Sequence, residues 1–173
     1  MSKMQFCYFM DYEDGKMARM RTAGECEVPV NILINNAADY ADAGEGPCEI
    51  EICGAGSDIE IYATEEEFEA AHPNLADISM IPAGMFSADP DDEDFEESPH
   101  IIFSGRAREV VWNPEPEEDE PNCFILVETL EMRVNLYLRY NGPVEPGYIV
   151  YGVAWLFGNL QMEGPENAEA KGI

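Results

Sequence analysis

The residues of this 173-residue chain that could do chemistry are two runs of carboxylates, two histidines, five cysteines, one glycine-rich stretch and four arginines near the C-terminal end. Asp89, Asp91, Asp92, Glu93, Asp94, Glu96 and Glu97 form the first run, and their alternate spacing imitates a calcium loop. An EF-hand loop needs glycine at its sixth position and glutamate at its twelfth. Counted from Asp89 those places hold Asp94 and His100, so a solvated charge run is the reading. Cys48 and Cys53 are an odd number of residues apart, which on one strand points the thiols to opposite faces and argues against zinc. His72 precedes Pro73 and His100 follows Pro99, with no G-x-S-x-G or partnered cysteine to make either a catalytic base. Gly54-Ala55-Gly56 lacks the lysine and third glycine of a phosphate cradle and stands among Glu51, Asp58 and Glu60, which repel phosphate. No metal, no cofactor and no catalytic residue is implied, although an unrecognised enzyme stays open.

The arginines carry the most specific pattern. Strand alternation over residues 100–110 places His100, Ser104, Arg106 and Arg108 on one face, against Ile101, Phe103 and Ala107. Over 132–140 it places Arg133, Asn135, Tyr137 and Arg139 together, against Val134, Leu136 and Leu138. Two meanings follow. Either these cations pair with carboxylates of their own chain, or Arg106, Arg108, Arg133 and Arg139 with Tyr137 form a face for an anionic ligand or a single strand.

Charge sets the broader limits. Thirty-six Asp and Glu against nine Lys and Arg give a formal net charge of −27. Residues 22–105 hold 21 acidic side chains and no Lys or Arg, whereas residues 1–21 carry four basic and three acidic groups. A compact domain of this size is about 40 Å across, and 40 Å of duplex DNA carries roughly 24 charges. A free duplex is therefore repelled, and the chain rivals DNA of its own length in charge. A merely solubilising surface would carry the same net charge. No run of about 20 apolar residues is available for a membrane span. Residues 4–10 are too short for a signal-peptide core, so reduced thiols and a cytoplasmic location are expected.

These residues must be positioned by strands. Residues 3–10 (KMQFCYFM) read as a strand, followed by an Asp14-Gly15 hairpin turn and a returning strand over 17–22. Val28, Val30, Ile32 and Ile34 alternate in a strand that Pro29 assigns to an edge. Residues 35–47 read as a loop. Residues 48–53 and 58–63 read as arms of a hairpin turning at 54–57, its outer face lined by Glu49, Glu51, Asp58 and Glu60. Thr64 with Glu67 forms a capping box for a short helix, stopped by Pro73, with Phe68 and Ala71 inward. Residues 78–86 read as irregular. Strands follow at 100–113, 122–130, 132–140 and 147–160, with a second acidic loop carrying Glu115, Glu117, Glu118, Asp119 and Glu120. A strand of about 13 residues separates the two acidic loops and spans roughly 43 Å if extended. No internal repeat is visible. The organisation expected is an acidic β-rich region (1–86), an acidic loop (87–98), a β-barrel-like region (99–162) and a polar tail (163–173), together α+β and predominantly antiparallel.

The stretches FSGRAREVVW, CFILVETL, RVNLYLRY and PGYIVYGVAWLFG, within 99–162, resemble the strand succession of OB-fold-like small barrels. The chain departs from that pattern between residues 140 and 147, too short for the usual helix, which leaves another barrel or a sandwich open. The function expected is noncatalytic: an acidic surface engaging a basic protein, in its sharper form a DNA mimic occupying the groove of a nucleic-acid-binding protein.

Overall fold

The computed structural model describes residues 2–25, 27–85, 91 and 93–162. Nine strands form one mixed sheet: β1 Ser2–Tyr12, β2 Gly15–Thr22, β3 Pro29–Ile34, β4 Gly46–Tyr62, β5 Ser79–Ile81, β6 His100–Trp112, β7 Cys123–Thr129, β8 Met132–Leu138 and β9 Ile149–Gln161. The helix α1 spans Glu65–Ala71, and short 3₁₀ turns lie at Ala37–Tyr40 and Ala83–Met85. The fold is thus mostly β with one helix, as the periodicity implies.

Alternation decides what is buried. Along β7 every second residue (Cys123, Ile125, Val127, Thr129) is buried, and along β8 Met132, Val134, Leu136 and Leu138 are. They join Phe6, Met20, Ile32, Ile50, Phe103 and Leu156 in one core. Buried apolar area of this kind contributes about 25 cal/mol per Å², the main favourable term of folding.

The sheet order is β1-β2-β3-β9-β4-β8-β7-β6-β5, with further ladders joining β1 to β4 and β9 to β6. The ladders therefore trace two closed circuits, β1–β2–β3–β9–β4 and β6–β7–β8–β4–β9, sharing the long antiparallel β4–β9 pair. In each circuit one pairing is parallel, β3 with β9 and β4 with β8. The circuits match residue by residue. Phe6↔Met20 corresponds to Ala107↔Val127, and both first strands bulge at the next residue. Lys16↔Ile34 corresponds to Cys123↔Leu138, Ser2↔Ile50 to Phe103↔Gly152, and Leu33↔Phe157 to Tyr137↔Ala55. The strand sets β1–β4 and β6–β9 are related by a pseudo-twofold that no sequence repeat announces.

Several expectations need correction. Residues 48–63 are not a hairpin: β4 runs unbroken through Gly54-Ala55-Gly56, because its partner along that length is β9 and not itself. Small residues suit this crowded position, where a Cβ on Gly54 would meet Val134 and Ala154 at 3.1 and 3.2 Å. The irregular stretch after residue 77 contains β5, paired with β6 through Ser79↔Ser104. Ala71 is exposed, and Phe68 alone of α1 is buried. The capping box is present: Thr64 Oγ1 accepts from Glu67 N at 3.2 Å, while Glu67 Oε2 accepts from Ala63 N. Within β6 a Cβ on Gly105 would lie 2.6 Å from the Glu128 carbonyl oxygen, so glycine permits the close approach of β7. The tail expected over 163–173 lies outside the described residues.

Candidate functional site

Glu49 and Glu51 occupy alternate positions of β4, opposite Gln161 and Asn159 of β9, on the face that also carries Cys53 and Ala55. Asp58 sits at a register shift between β4 and β9, in the left-handed region with φ 53°. Glu60 is engaged differently from the other three. It accepts a hydrogen bond from the Tyr62 hydroxyl and lies 3.6 Å from His72 Nε2, whose ring packs at a tilt of 41° against Tyr151, 4.3 Å between centroids. Burial, then the Glu60 carboxylate, pushes the Tyr62 phenol up to about 12.

The first acidic loop is anchored at its end. Arg19 binds Glu97 and donates from Nε to Asn31 Oδ1 at 2.8 Å, holding that carboxylate on the outer side of β2–β3. Asn31 Nδ2 lies 3.4 Å from both Glu97 Oε1 and the Ser98 carbonyl, and Ser98 N donates to Gly84 O at 2.9 Å. Asp91, Glu93, Asp94 and Glu96 are exposed, while Asp89 and Asp92 lie outside the described residues. Arg19 anchors this loop, a role that the sequence pattern alone did not assign to it. Its signal was the alternation of Arg19 and Arg21 along the strand MARMR.

The second acidic loop is held by its backbone. Arg139 donates from Nε to the Glu120 carbonyl and from Nη2 to the Glu117 carbonyl, both at 2.8 Å. Asn122 locks the loop's return, accepting from Tyr140 N at 2.8 Å and donating to Tyr140 O at 3.0 Å. Asn113 Oδ1 accepts from Glu115 N, and Glu120 Oε2 from Glu117 N. The arginine thus orders the segment through its carbonyls. The side chains of Glu115, Glu117, Glu118, Asp119 and Glu120 stay exposed, with no Lys or Arg ion pair among the described residues. The loops stand at opposite ends of β6, as the intervening strand requires.

The arginines do not share one face. Arg106 ion-pairs with Asp77 at 2.8 Å and with Glu65, and donates to the Gly147 carbonyl at 3.0 Å, so it fastens α1 and the following turn to β6. Hydrogen bonding to Asp77 is the main cause that raises its pKa. Arg108 occupies the bulge, where register is lost between Ala107 and Glu109, and its Nε lies 2.6 Å from Glu128 Oε2. In the ladders Glu128 is the register partner of Arg106 on β6 and of Arg133 on β8, but its ion pair is with Arg108. Arg139 is at the far end of β8. Ser104 is not outward either: it is buried, donating to Ala76 O at 2.7 Å and meeting Ser79 Oγ at 2.6 Å. Tyr137 contacts Phe124 at 5.1 Å and Phe157 at 6.3 Å between centroids, with its hydroxyl 3.8 Å from Cys53 Sγ. Burial, then the Cys53 contact, raises the Tyr137 phenol.

Two surface depressions are formed by these arrangements. One of about 360 Å³ is lined by Met10, Tyr12, Met17, Glu96 and Glu97, and one of about 270 Å³ by Ser2, Glu128, Glu131 and Arg133. In the second, Ser2 Oγ accepts from Arg133 N at 3.0 Å. Among the described residues no three His, Cys, Asp or Glu side chains converge in a way that could hold a metal ion. No helix of the described residues is long and apolar enough to cross a membrane. Comparison with protein-family models, curated proteins and solved structures finds no match for this chain.

Proposed function

We propose that this chain is a noncatalytic interaction module whose acidic surface binds a basic protein, and that it does so as a mimic of DNA on a nucleic-acid-binding partner. One observation carries the reading. Arg139 and Asn122 order the 115–120 loop through backbone atoms, so five carboxylates are held in place without being neutralised. Ordering before binding lowers the entropy lost on association, and unneutralised charge steers a basic partner at long range. Glu49, Glu51 and Asp58 extend the negative surface along β4. A cytoplasmic location suits Cys7, Cys48, Cys53 and Cys123, all free thiols.

The finer fold reading, an OB-like small barrel, has in its favour the five-strand circuit β6–β7–β8–β4–β9, the strand number of that barrel. Its fifth strand is β4, outside residues 99–162. The second functional reading, an anionic ligand or single strand bound by the Arg residues and Tyr137, now without a shared arginine face, has in its favour the adjoining rings of Phe124, Tyr137 and Phe157.

The test is a titration of the full chain with a panel of nucleic-acid-binding proteins at low and high salt, with duplex DNA as competitor. Binding that weakens steeply with salt and is displaced by DNA supports the mimic. Binding unaffected by either removes it. Retention of a single-stranded oligonucleotide at low salt, lost on Arg133→Ala with Arg139→Ala, favours the second reading instead.

A further inference from the structure

β6 has a strand on each side only part of the way. β9 flanks residues 100–106 on one side, with β5 at 102–104 and β7 from 106 on the other, and Ala107 extends the β9 side by bonding Tyr148 O at 2.9 Å and Gly147 N at 2.7 Å. Beyond the bulge at Arg108, β7 continues through Trp112↔Cys123, but no described strand flanks the other side. The phase of the ladder is fixed by Asn113 N donating to Asn122 O at 2.9 Å. Antiparallel bonding alternates, so Glu109 and Val111 face β7, whereas Val110 and Trp112 direct their N–H and C=O groups outward.

This open edge is also where apolar side chains are left in water. Val111 is 58% exposed and Trp112 43% exposed, and as neighbours they lie on opposite faces of the strand. Natural edges are usually blunted by lysine, proline or a covering segment. Here the nearby charge is acidic: Glu109 on the edge itself and five carboxylates in the loop that follows. Arg108, the cation on this stretch, is engaged by Glu128.

We propose that the outer edge of β6, residues 108–112, is a strand-addition site for an extended cationic segment of a partner protein. This deepens, and rests on, the reading of the chain as an acidic module for basic partners. Main-chain bonds to Val110 and Trp112 supply the pairing, Val111 and Trp112 take apolar side chains on either face, and Glu109 with the 115–120 loop selects Lys or Arg. A second copy of this chain is the wrong occupant. Pairing two such edges brings together Glu109 and the adjoining 115–120 loop of each molecule, between molecules of charge −27.

The experiment uses the full chain and two synthetic peptides of about nine residues and equal charge, one alternating Lys and Val, the other with two Val replaced by Pro. Amide hydrogen exchange is followed residue by residue at low salt. With the alternating peptide the Val110 and Trp112 amides slow about tenfold or more, and with the proline peptide they do not. Trp112→Pro, which removes an outward N–H unused by β7, abolishes the difference between peptides, and Trp112→Val, which keeps the N–H, retains it. If both peptides bind equally and neither slows these amides, the edge site is overturned while the acidic module stands. If neither peptide binds at low salt, both fall. If the amides are already slow in a salt-independent dimer, the occupant is a second copy and the proposal is wrong.

Discussion

Arg139→Ala isolates the step on which the functional reading depends, the ordering of an acidic loop by a cation that leaves its carboxylates free. The guanidinium makes two charge-assisted hydrogen bonds to main-chain carbonyls at 2.8 Å. Such bonds contribute about 1.5–3 kcal/mol each when shielded. Arg139 is exposed, so water competes for both carbonyls and a combined loss of about 1–2 kcal/mol is expected. For a chain of this size that is a fall in melting temperature of about 2–8 °C. The local effect is larger than the global one, because Asn122 and the β7–β8 ladder still hold the loop's return. Amide exchange of residues 115–120 therefore accelerates well before that of β7 or β8. Arg139→Lys restores the charge but not the two-pronged geometry, and recovers less than half of the loss. Net charge changes by a single unit out of −27, so long-range steering is nearly unaltered. Partner association rates stay the same while dissociation quickens. If Arg139→Ala leaves loop exchange and dissociation unchanged, the loop is ordered by other means and the argument from it is refuted.

Other consequences are as direct. Phe68→Ala empties the buried contact that docks α1 on the sheet and costs about 3–5 kcal/mol, read as a lower urea midpoint. Gly105→Ala drives a Cβ to 2.6 Å from the Glu128 carbonyl oxygen and costs about 1–3 kcal/mol, with exchange at the β6–β7 ladder rising first. Arg106→Ala destabilises more than Arg108→Ala in thermal melts: the first also loses its bond to the Gly147 carbonyl, while the second gives up one exposed pair of about 0–1 kcal/mol. Burial raises Cys48 and Cys123 to about 11 and Tyr62 to about 12. In each the folded state holds its proton to higher pH than the unfolded state, so their stabilisation is intact below about pH 9 and is lost as pH rises to 11–12. Alkaline melts with tyrosinate absorbance check this, and thiol labelling of Cys48 and Cys123 at pH 8 is correspondingly slow.

Local signals in the sequence were legible wherever local physics decides. The Thr64 and Glu67 capping box, the stop at Pro73 and the alternation of Cys123–Thr129 each depend on residues within one element, and the reversal after β1 was legible too, although its turn residues are Glu13 and Asp14, with Gly15 already paired to Tyr12. The hairpin over 48–63 failed because Gly-Ala-Gly satisfies two different demands. It is a turn when the chain must reverse and a close-packed crossing when another strand lies against it. Only the β9 partner, about a hundred residues distant, distinguishes them. The arginine face failed first at Arg108. Alternation holds to Ala107, and the bulge at Arg108 then resets the register that the pattern assumes to be continuous. Arg139 was legible as an outward cation but not as a backbone ligand, since carbonyl acceptors leave no mark in composition.

The pseudo-twofold bears on whether the acidity is needed for folding at all. Under it β4 and β9 exchange places, and matched pairing positions set Cys53 against Trp155, and Ala55 against Phe157. Carried along β4, the same correspondence sets Glu49 against Tyr151 and Glu51 against Val153. Inward positions keep their character on both sides, as Val30 and Ile32 match the buried Val134 and Leu136, because the core tolerates little else. Outward positions have diverged, carboxylates on one strand and apolar or aromatic groups on its twin. The same ladder geometry is therefore built with and without this negative charge. Carboxylates that the architecture does not demand, and that repel one another in the folded state, cost stability. At Glu49 and Glu51, whose counterparts are Tyr151 and Val153, the carboxylates are thus a feature of the surface and not of the ladder that carries it.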